Sequence, residues 1–428
     1  MDYYHKTTCR LCESTDLTLV LSLTPTPPGN HFVTAENRDK PQPAYPLALN
    51  MCEMCKHVQL THCVNPVILY QTNYSYVSGT SPVFVAHLRE YADQITADYH
   101  FPPGSLALDI GSNDGTALEF FKDKGFRTLG IDPATEVVQS ANDRGIETIC
   151  DFFSYDVAIR NRERFGPATL INSHNACAHI DDLAGVIRGV EHWLDDDGLF
   201  VMEVGYFLDV YENGWFDTIY HEHVDYHTVI PLVPFFRAHG LQIIDILRTS
   251  PQGGSIRLTA QKTGGQHPVK PSVEELMQLE RNTGLDRSGT LRAFGAKIDA
   301  IKHRLGELIA TLKTQGKSIA AFGAPTKATT LLSHFNLASA LDFLMDDNPL
   351  KQNLFSPGSH IPVLPASAMY ERRPDYVIVL AWNFAADIMR KHAAYLDLGG
   401  KFILPMPEPT IIDREAHAQA STDRRTTS

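Results

Sequence analysis

The chain has 428 residues, a formal net charge of −13 and 43% hydrophobic residues. This composition is typical of a globular protein, and the length suggests about two or three domains. The negative charge disfavours a nucleic-acid partner. The sequence also lacks a run of about 20 apolar residues and the apolar core of a signal peptide, so we expect a cytoplasmic protein without a membrane segment.

Two CxxC pairs lie within the first 70 residues, with a proline-rich stretch between them. The pairs are Cys9 with Cys12 and Cys52 with Cys55. In a reducing compartment such pairs indicate a metal rather than disulfides, and four thiolates close a zinc tetrahedron without leaving a position for water. The sequence therefore predicts a structural zinc site, although His57, His62 or Cys63 could supply a different fourth ligand.

Short apolar runs alternate with helical segments from about residue 80 to 265. The runs include SLALDIG, FRTLGID, ATLINSH and GLFVMEVG, and LQIIDILRTS with GSIRLTAQK is typical of an edge hairpin. The alternation predicts an α/β fold with a doubly wound, Rossmann-like parallel sheet. A long amphipathic segment then predicts a connecting helix, and KSIAAFGA, ALDFLMDDN, DYVIVLAW and KFILPMP predict a second, smaller α/β domain.

The predicted organisation has five parts, and polar composition suggests disorder in the last of them. The parts are a zinc module (1–70), a cofactor-binding domain (71–265), a helical connector (266–315), a second Rossmann-like domain (316–410) and a tail (411–428).

The strand LALDI runs into a glycine-containing turn and then into a helical segment. Two glycines are separated by three residues and flanked by acids, unlike the GxGxxG of dinucleotide-binding proteins. Acidic groups suit a ligand with an ammonium and a sulfonium, so the turn favours S-adenosylmethionine over NAD. A carboxylate ending the next strand would hold the ribose, and an acid and an aromatic ring after the third would hold the adenine. The predicted cofactor-binding residues are Asp109, Gly111, Asn113, Asp114, Asp132, Asp151 and Phe152.

Residues 216–227 contain three histidines, two tyrosines and several acids. A histidine with a pKa near 6.5 can take up a proton at neutral pH, so this density beside the cofactor edge suggests proton transfer. The HEH run lacks the HExxH spacing of zinc proteases. A catalytic metal and a polar surface loop remain the alternatives.

The CxxC pairs and the motifs NYSYVSGTS, LDIGSNDG, ACAHI, YHEHVDY and GGSIR, in this order, resemble the nucleotide-sugar C-3′ methyltransferases. The resemblance spans about residues 5–410 and implies S-adenosylmethionine, a structural zinc and a dTDP-linked 4-keto-6-deoxyhexose substrate. It implies that His223 is the base. The other residues that it places at the sugar are Glu222, Tyr220, His179 and a linker tyrosine, assigned to Tyr74 with Tyr76 as the competing choice.

The turn AFGAPTK could receive the pyrophosphate of such a substrate through its backbone N–H groups and Lys327, although an ordinary Gly/Pro turn fits equally well. The predicted reaction is methylation of C3 through an enolate. An O-methyltransferase acting on a related sugar nucleotide and a non-catalytic zinc-containing binding protein are the alternatives. A monomer would suffice, because the three-part chain could enclose its own site.

Overall fold

The computed structural model describes residues 2–70, 77–250 and 253–419. The chain forms two compact units, and each is built from separate stretches of sequence. The first unit comprises the described residues of Met1–Leu19, Leu49–Asp209 and Glu222–Thr290. The second comprises the described residues of Val20–Ala48, Val210–His221 and Leu291–Ser428. Among the described helices, none has the length and apolar character that crossing a membrane requires.

Short strands and turns make up the cysteine-containing region. Its elements are β1 (Tyr3–His5), β2 (Leu17–Thr26), β3 (Tyr45–Cys52), β4 (Val58–Leu60), β5 (His62–Val64) and α1 (Pro66–Tyr70). Strand β1 pairs antiparallel with β5, and β3 pairs antiparallel with β4. Because Cys52 ends β3 and Cys55 lies in the turn that follows, the β3–β4 hairpin holds the second cysteine pair.

Alternating helices and strands follow in chain order. They are α2 (Pro82–Asp98), β6 (Leu106–Ile110), α3 (Thr116–Asp123), β7 (Arg127–Asp132), α4 (Thr135–Asp143), β8 (Thr148–Cys150), α5 (Tyr155–Phe165), β9 (Ala168–His174), α6 (Leu183–Trp193), β10 (Leu194–Gly205), α7 (Phe207–Asn213), β11 (Asp225–Tyr226), α8 (Val229–Ala238), β12 (Leu241–Thr249) and β13 (Ser255–Lys262). Strand β11 pairs antiparallel with β4.

The first large sheet has seven strands within the described residues, in the order β12-β13-β10-β9-β6-β7-β8. Strand β13 runs antiparallel to both of its neighbours, and the remaining neighbours are parallel. The chain moves outward from β6 to β8 and returns at β9, so the topological switch point lies between β6 and β9. The predicted doubly wound sheet with an edge hairpin is confirmed.

Helix α2 packs on one face of this sheet. It begins at Pro82, and the Ser81 side chain caps its first turn by accepting from the N–H of Phe84 at 3.4 Å. Phe84, Leu88 and Tyr91 form a buried stripe at helical spacing and pack against the apolar strand residues. All five residues of β6 are buried, as expected for a central parallel strand.

A second alternating series forms the rest of the chain. Its elements are α9 (Pro271–Thr283), α10 (Ser288–Thr314), β14 (Ile319–Phe322), α11 (Ala328–His334), β15 (Leu344–Met345), β16 (Val363–Leu364), α12 (Ala368–Arg372), β17 (Tyr376–Val379), α13 (Ala385–Lys391), α14 (Ala393–Asp397), β18 (Lys401–Leu404) and β19 (Thr410–Ile412). Its sheet has six strands in the described part, ordered β16-β15-β14-β17-β18-β19, and only β19 is antiparallel to its neighbour. The predicted second Rossmann-like sheet is confirmed.

Two details of the sequence-based expectation require correction. The predicted connecting helix is divided into α9 and α10, because Gly284 adopts φ 79° and ends α9 in a left-handed cap. Residues 411 and 412 belong to β19 and residues 414–419 are helical, so predicted disorder does not begin at residue 411. Ile412 packs against the apolar core of the second sheet, which explains this pairing. The five-part division itself stays a prediction.

Candidate active site

Four sulfur atoms converge in the cysteine-containing region. The Sγ atoms of the two CxxC pairs all lie within 4.8 Å of one another. The Cys9–Cys55 and Cys12–Cys52 sulfurs are 3.5 Å apart. Four thiolates bound to zinc at about 2.3 Å would be separated by about 3.8 Å, so this donor set fits a tetrahedral zinc ion. The side chain of His57 is not part of this sulfur cluster, because its Nε2 lies 2.7 Å from Asp225 Oδ1.

The first cysteine pair encloses a buried arginine that reaches two other segments. The Nε of Arg10 lies 2.8 Å from Asp181 Oδ1, and Nη1 donates to the carbonyl of Leu60 at 3.1 Å. Asp181 lies two residues after His179, and the N–H of Leu60 donates to the carbonyl of Val224 at 2.9 Å. The zinc-binding region therefore supports both the ACAHI and the YHEHVDY segments.

Two predicted catalytic histidines lie together in the first unit. The rings of His179 and His223 stack with centroids 5.1 Å apart and an interplanar angle of 27°. The N–H of Val224 donates to the carbonyl of Ala178 at 2.8 Å, which fixes the two segments side by side. Burial, and next the neighbouring His223, lower the pKa of His179 to about 3. The His179 imidazole is therefore neutral at physiological pH.

Tyr70 is a neighbour of this pair that the sequence did not indicate. It ends α1 and stacks on His179 with centroids 5.8 Å apart, and its hydroxyl donates to the backbone carbonyl of the buried Glu222 at 3.1 Å. Its only signal was its position just before the tyrosine-rich linker. Tyr74 and Tyr76, which the sequence favoured, lie outside the described residues.

The turn after β6 lies at the switch point of the first sheet. Gly111 adopts φ 72°, and a Cβ there would lie 2.4 Å from the Cβ of Ala176, so only glycine fits. Asp109 Oδ1 and Ser112 Oγ are buried and have no hydrogen-bond partner among the described residues. Burial raises the pKa of Asp109 well above its usual range, and the charge of Asp132 raises it further. Such groups fit a ligand that carries an ammonium and hydroxyls.

Asp132 organises the same edge of the sheet. Its carboxylate accepts from the N–H groups of Asn113 and Ala134, both at 2.9 Å, and keeps further acceptor capacity for ribose hydroxyls. Burial raises the pKa of Asp132. The N–H of Asp151 donates to the carbonyl of Asp132 at 3.2 Å, so Asp151 and Phe152 begin at this edge.

The side chains of two other predicted cofactor-binding residues form hydrogen bonds with other parts of the protein. The side chain of Asn113 accepts from the N–H of Ser78 at 2.8 Å. Asp114 accepts from the N–H of Gly79 at 3.2 Å and from the hydroxyl of Thr116 at 2.7 Å. These side chains attach the end of the linker to the cofactor turn, and their role as cofactor ligands stays a prediction.

The second unit contains Tyr220 and Lys327. Tyr220 is half-buried. The Nζ of Lys327 lies 3.3 Å from the ring centroid of Trp382 and donates to Asn383 Oδ1 at 2.9 Å. Burial lowers the pKa of Lys327 to about 8, against the opposing charge of Asp217.

The backbone of the AFGAPTK turn is already paired in part. The N–H of Ala324 donates to Asp346 Oδ2 at 2.6 Å, and the N–H of Gly323 donates to the carbonyl of Met345 at 2.7 Å. Two of the donors that the sequence offered to a pyrophosphate are thus occupied, one by a carboxylate. The substrate-binding role of Lys327 stays a prediction.

Three family models match successive parts of the chain. They are described as "Putative zinc binding domain" (residues 9–70), "Methyltransferase domain" (84–246) and "C-methyltransferase C-terminal domain" (250–407). The C-methyltransferase NovU of Streptomyces niveus is 34% identical over 409 residues, covering 95% of this chain and 97% of that protein. This chain belongs to the C-methyltransferase family.

Solved methyltransferase structures show weaker similarity to this C-methyltransferase. An S-adenosylmethionine-dependent methyltransferase from Clostridium acetobutylicum matches with a TM-score of 0.35 and 15% identity over 42% of this chain and 92% of its own. The magnesium protoporphyrin IX methyltransferase of Synechocystis matches with a TM-score of 0.34 and 16% identity over 45% of this chain and 90% of its own.

The C-methyltransferase uses S-adenosylmethionine and carries a zinc-binding module with a four-cysteine site. The two cofactor predictions are therefore confirmed. Family membership also decides between the alternatives that the sequence left open. The chain is an enzyme rather than a binding protein, and the atom methylated in this family is carbon rather than oxygen.

Proposed function

We propose that this C-methyltransferase methylates C3 of a dTDP-linked 4-keto-6-deoxyhexose. The similarity to NovU and the match of the C-terminal family model support carbon as the acceptor atom. The motif resemblance supports a keto sugar nucleotide, and the chemistry of the reaction agrees with it. A carbon nucleophile is difficult to form unless a neighbouring carbonyl acidifies its C–H bond, and the C4 ketone does this for C3.

The observation that carries the proposal is the stacked pair of His223 and His179. In the proposed reaction His223 removes the C3 proton, and the C–H electron pair becomes an enolate. Because His179 is neutral, the imidazolium that forms on His223 meets no second positive charge beside it. The proton then leaves His223 to water.

The enolate oxygen needs hydrogen-bond donors where its charge develops. A neutral His179 has one ring N–H to offer, and a tyrosine hydroxyl supplies a second donor. We assign that hydroxyl to the linker tyrosine Tyr74, with Tyr76 as the competing choice. Glu222 orients the His223 ring or holds a sugar hydroxyl, and Tyr220 contacts the sugar.

S-adenosylmethionine supplies the methyl group to C3. The role of the chain is to hold C3 in line with that group, which contributes through proximity and orientation. We propose that Asp132 holds the ribose of the cofactor, with Asp151 and Phe152 at the adenine. Lys327 is proposed to bind the phosphates of the substrate.

The test is proton exchange followed by product analysis. The enzyme, S-adenosylhomocysteine and a dTDP-4-keto-6-deoxyhexose are incubated in D2O, and NMR follows the C3 proton. Exchange at C3, and a carbon-methylated product once S-adenosylmethionine is supplied, are expected. The absence of both with every member of a panel of 4-keto sugar nucleotides would overturn the proposal.

A further inference from the structure

A row of polar side chains crosses the first sheet near the carboxyl ends of its parallel strands. His174 on β9 lies opposite Glu203 on β10, and Glu203 lies opposite Arg257 on β13. Helix α2 covers this face with an apolar stripe, and strand residues such as Leu170 and Val201 complete the core. Polar groups cost free energy in such surroundings unless they are paired.

Two members of the row, Glu203 and Arg257, form an ion pair with each other. Glu203 is fully buried and lies 2.8 Å from Arg257 Nε and 2.6 Å from His87 Nε2. Burial alone would raise the pKa of Glu203, but the hydrogen bond with His87 and nearby positive charge hold it at about 2. Glu203 and Arg257 therefore balance each other within the sheet.

His174 is different, because it ends the row without a hydrogen-bond partner in the described part of the chain. Both of its ring nitrogens are buried and make no hydrogen bond with any described residue. The ring lies edge-on to Tyr91, with centroids 4.6 Å apart. Burial lowers the pKa of His174 to about 4, so the neutral ring has one N–H donor and one acceptor nitrogen unused.

The side chain of His174 borders a cavity at the switch point. The cavity has a volume of about 20 Å³, and its lining includes the polar side chains of His174, Asp109 and Ser112 and the apolar side chains of Phe84, Leu88 and Ala117. About 10 to 15 Å³ is enough for one water-sized group. The unpartnered atoms of Asp109 and Ser112 belong to the same lining. Buried polar atoms of three side chains thus border a space of the size of an ammonium group.

We propose that His174 binds the amino-acid end of S-adenosylmethionine, its acceptor nitrogen receiving the ammonium together with Asp109 and Ser112. Because burial raises the pKa of Asp109, its carboxyl gives up a proton to solvent when the ammonium binds and then supplies the opposite charge, while the imidazole and hydroxyl supply neutral acceptors. The buried Glu203–Arg257 pair joins β10 to β13, beside the strand that carries His174. The inference depends on the use of S-adenosylmethionine and not on the identity of the sugar, so it can fail while the proposed substrate stands.

The experiment compares two ligands that differ only at the amino-acid end. Calorimetry measures S-adenosylhomocysteine and 5′-methylthioadenosine, which lacks that end, with wild type and His174→Phe. Phenylalanine keeps a ring against Tyr91 and removes both nitrogens. We expect the Kd of S-adenosylhomocysteine to rise about tenfold or more and that of 5′-methylthioadenosine to change less than twofold. An equal change for both ligands, or no change for either, would overturn the inference.

Two controls separate binding from folding. His239 is a half-buried histidine of the same unit whose Nδ1 bonds to the Phe235 carbonyl at 2.9 Å, and His239→Phe should change neither affinity. Wild type is also titrated with an S-adenosylhomocysteine analogue that lacks the α-amino group, and about tenfold weaker binding is expected. Equal affinity for the analogue and the parent would overturn the inference even if His174→Phe did not fold.

Discussion

The two Rossmann-like sheets of this chain have the same arrangement at their switch points. Gly111 after β6 would place a Cβ 2.4 Å from that of Ala176, and Gly323 after β14 would place one 2.6 Å from that of Ala381. In each sheet an acid at the end of the second strand accepts an N–H from the turn after the first. These hydrogen bonds are Asn113 to Asp132 at 2.9 Å and Ala324 to Asp346 at 2.6 Å.

The two sheets differ in the polar groups that are available to bind a ligand. At the first, Asp109, Ser112 and His174 have buried atoms without a partner among the described residues, around one small cavity. At the second, Lys327 is already engaged with Trp382 and Asn383, and the hydroxyl of Thr330 holds the carbonyl of Ile219 at 2.8 Å. A shared topology therefore specifies where a turn lies, whereas the side chains decide what it binds.

The largest effect should follow from removing the proposed base in the first unit. His223→Ala should lower kcat by about 10³-fold, because general base catalysis typically contributes 10²- to 10⁴-fold. The Kd of S-adenosylhomocysteine should stay within twofold of wild type. Steady-state kinetics and calorimetry measure the two quantities, and a wild-type rate would reject His223 as the base.

The second-largest effect, a loss of stability, should follow from a substitution that tests whether the zinc-binding region supports the first unit. Arg10→Met leaves Asp181 and Asp225 without the guanidinium, and breaking a buried ion pair of this kind costs about 3 kcal/mol. Denaturant unfolding should show that loss with zinc still bound, as metal analysis would verify. Lys6→Met is the control, because Lys6 lies 3.4 Å from Asp181 in a more exposed pair and should cost less than about 1 kcal/mol. Equal losses would contradict the supporting role of Arg10.

A matched pair of substitutions tests the comparison of the sheets directly. Asp132→Asn should weaken S-adenosylhomocysteine about tenfold, since the proposed charged acceptor for the ribose is lost. Asp346→Asn removes a carboxylate with the same backbone role and should leave that affinity within twofold. Calorimetry on both variants decides the matter, and equal losses would show that the two turns are not functionally distinct.

A smaller effect is expected at the second sheet. Lys327→Met should raise the KM of the sugar nucleotide about fivefold, the size of one charge contact with a phosphate. Because burial lowers the pKa of Lys327 to about 8, the wild-type KM should also rise above pH 8, where the side chain loses its charge. An unchanged KM with reduced stability would assign Lys327 to packing on Trp382 alone.

The smallest effect concerns stability and pH. Burial raises the pKa of Asp109, so the native protein holds this proton more tightly than the unfolded chain does. Stability is therefore lost as the pH rises from the ordinary aspartate pKa near 4 toward the native value. Asp109→Asn should remove this loss and raise the free energy of unfolding at pH 7 by about 1 kcal/mol. Melting curves of wild type and Asp109→Asn should show a more stable variant at pH 7 and no gain in stability at pH 4. A variant that is less stable than wild type at pH 7 would contradict the raised pKa of Asp109.

The sequence by itself predicted the two α/β sheets, the four zinc-binding cysteines and the use of S-adenosylmethionine. These depend on periodicity and on spacing along the chain, such as CxxC and the turn after β6. The resemblance of the YHEHVDY and ACAHI motifs also assigned roles to His223 and His179, and these roles stay predictions.

Only the tertiary structure decided which distant residues meet. Arg10 reaches Asp181 across 171 positions, and Tyr70 lies against His179, through folding that no local pattern records. The structure likewise showed that Asn113 and Asp114 bind the backbone of Ser78 and Gly79, and that His174 has no hydrogen-bond partner among the described residues. Whether a polar group is satisfied depends on every element packed around it, and a single stretch of sequence does not contain that information.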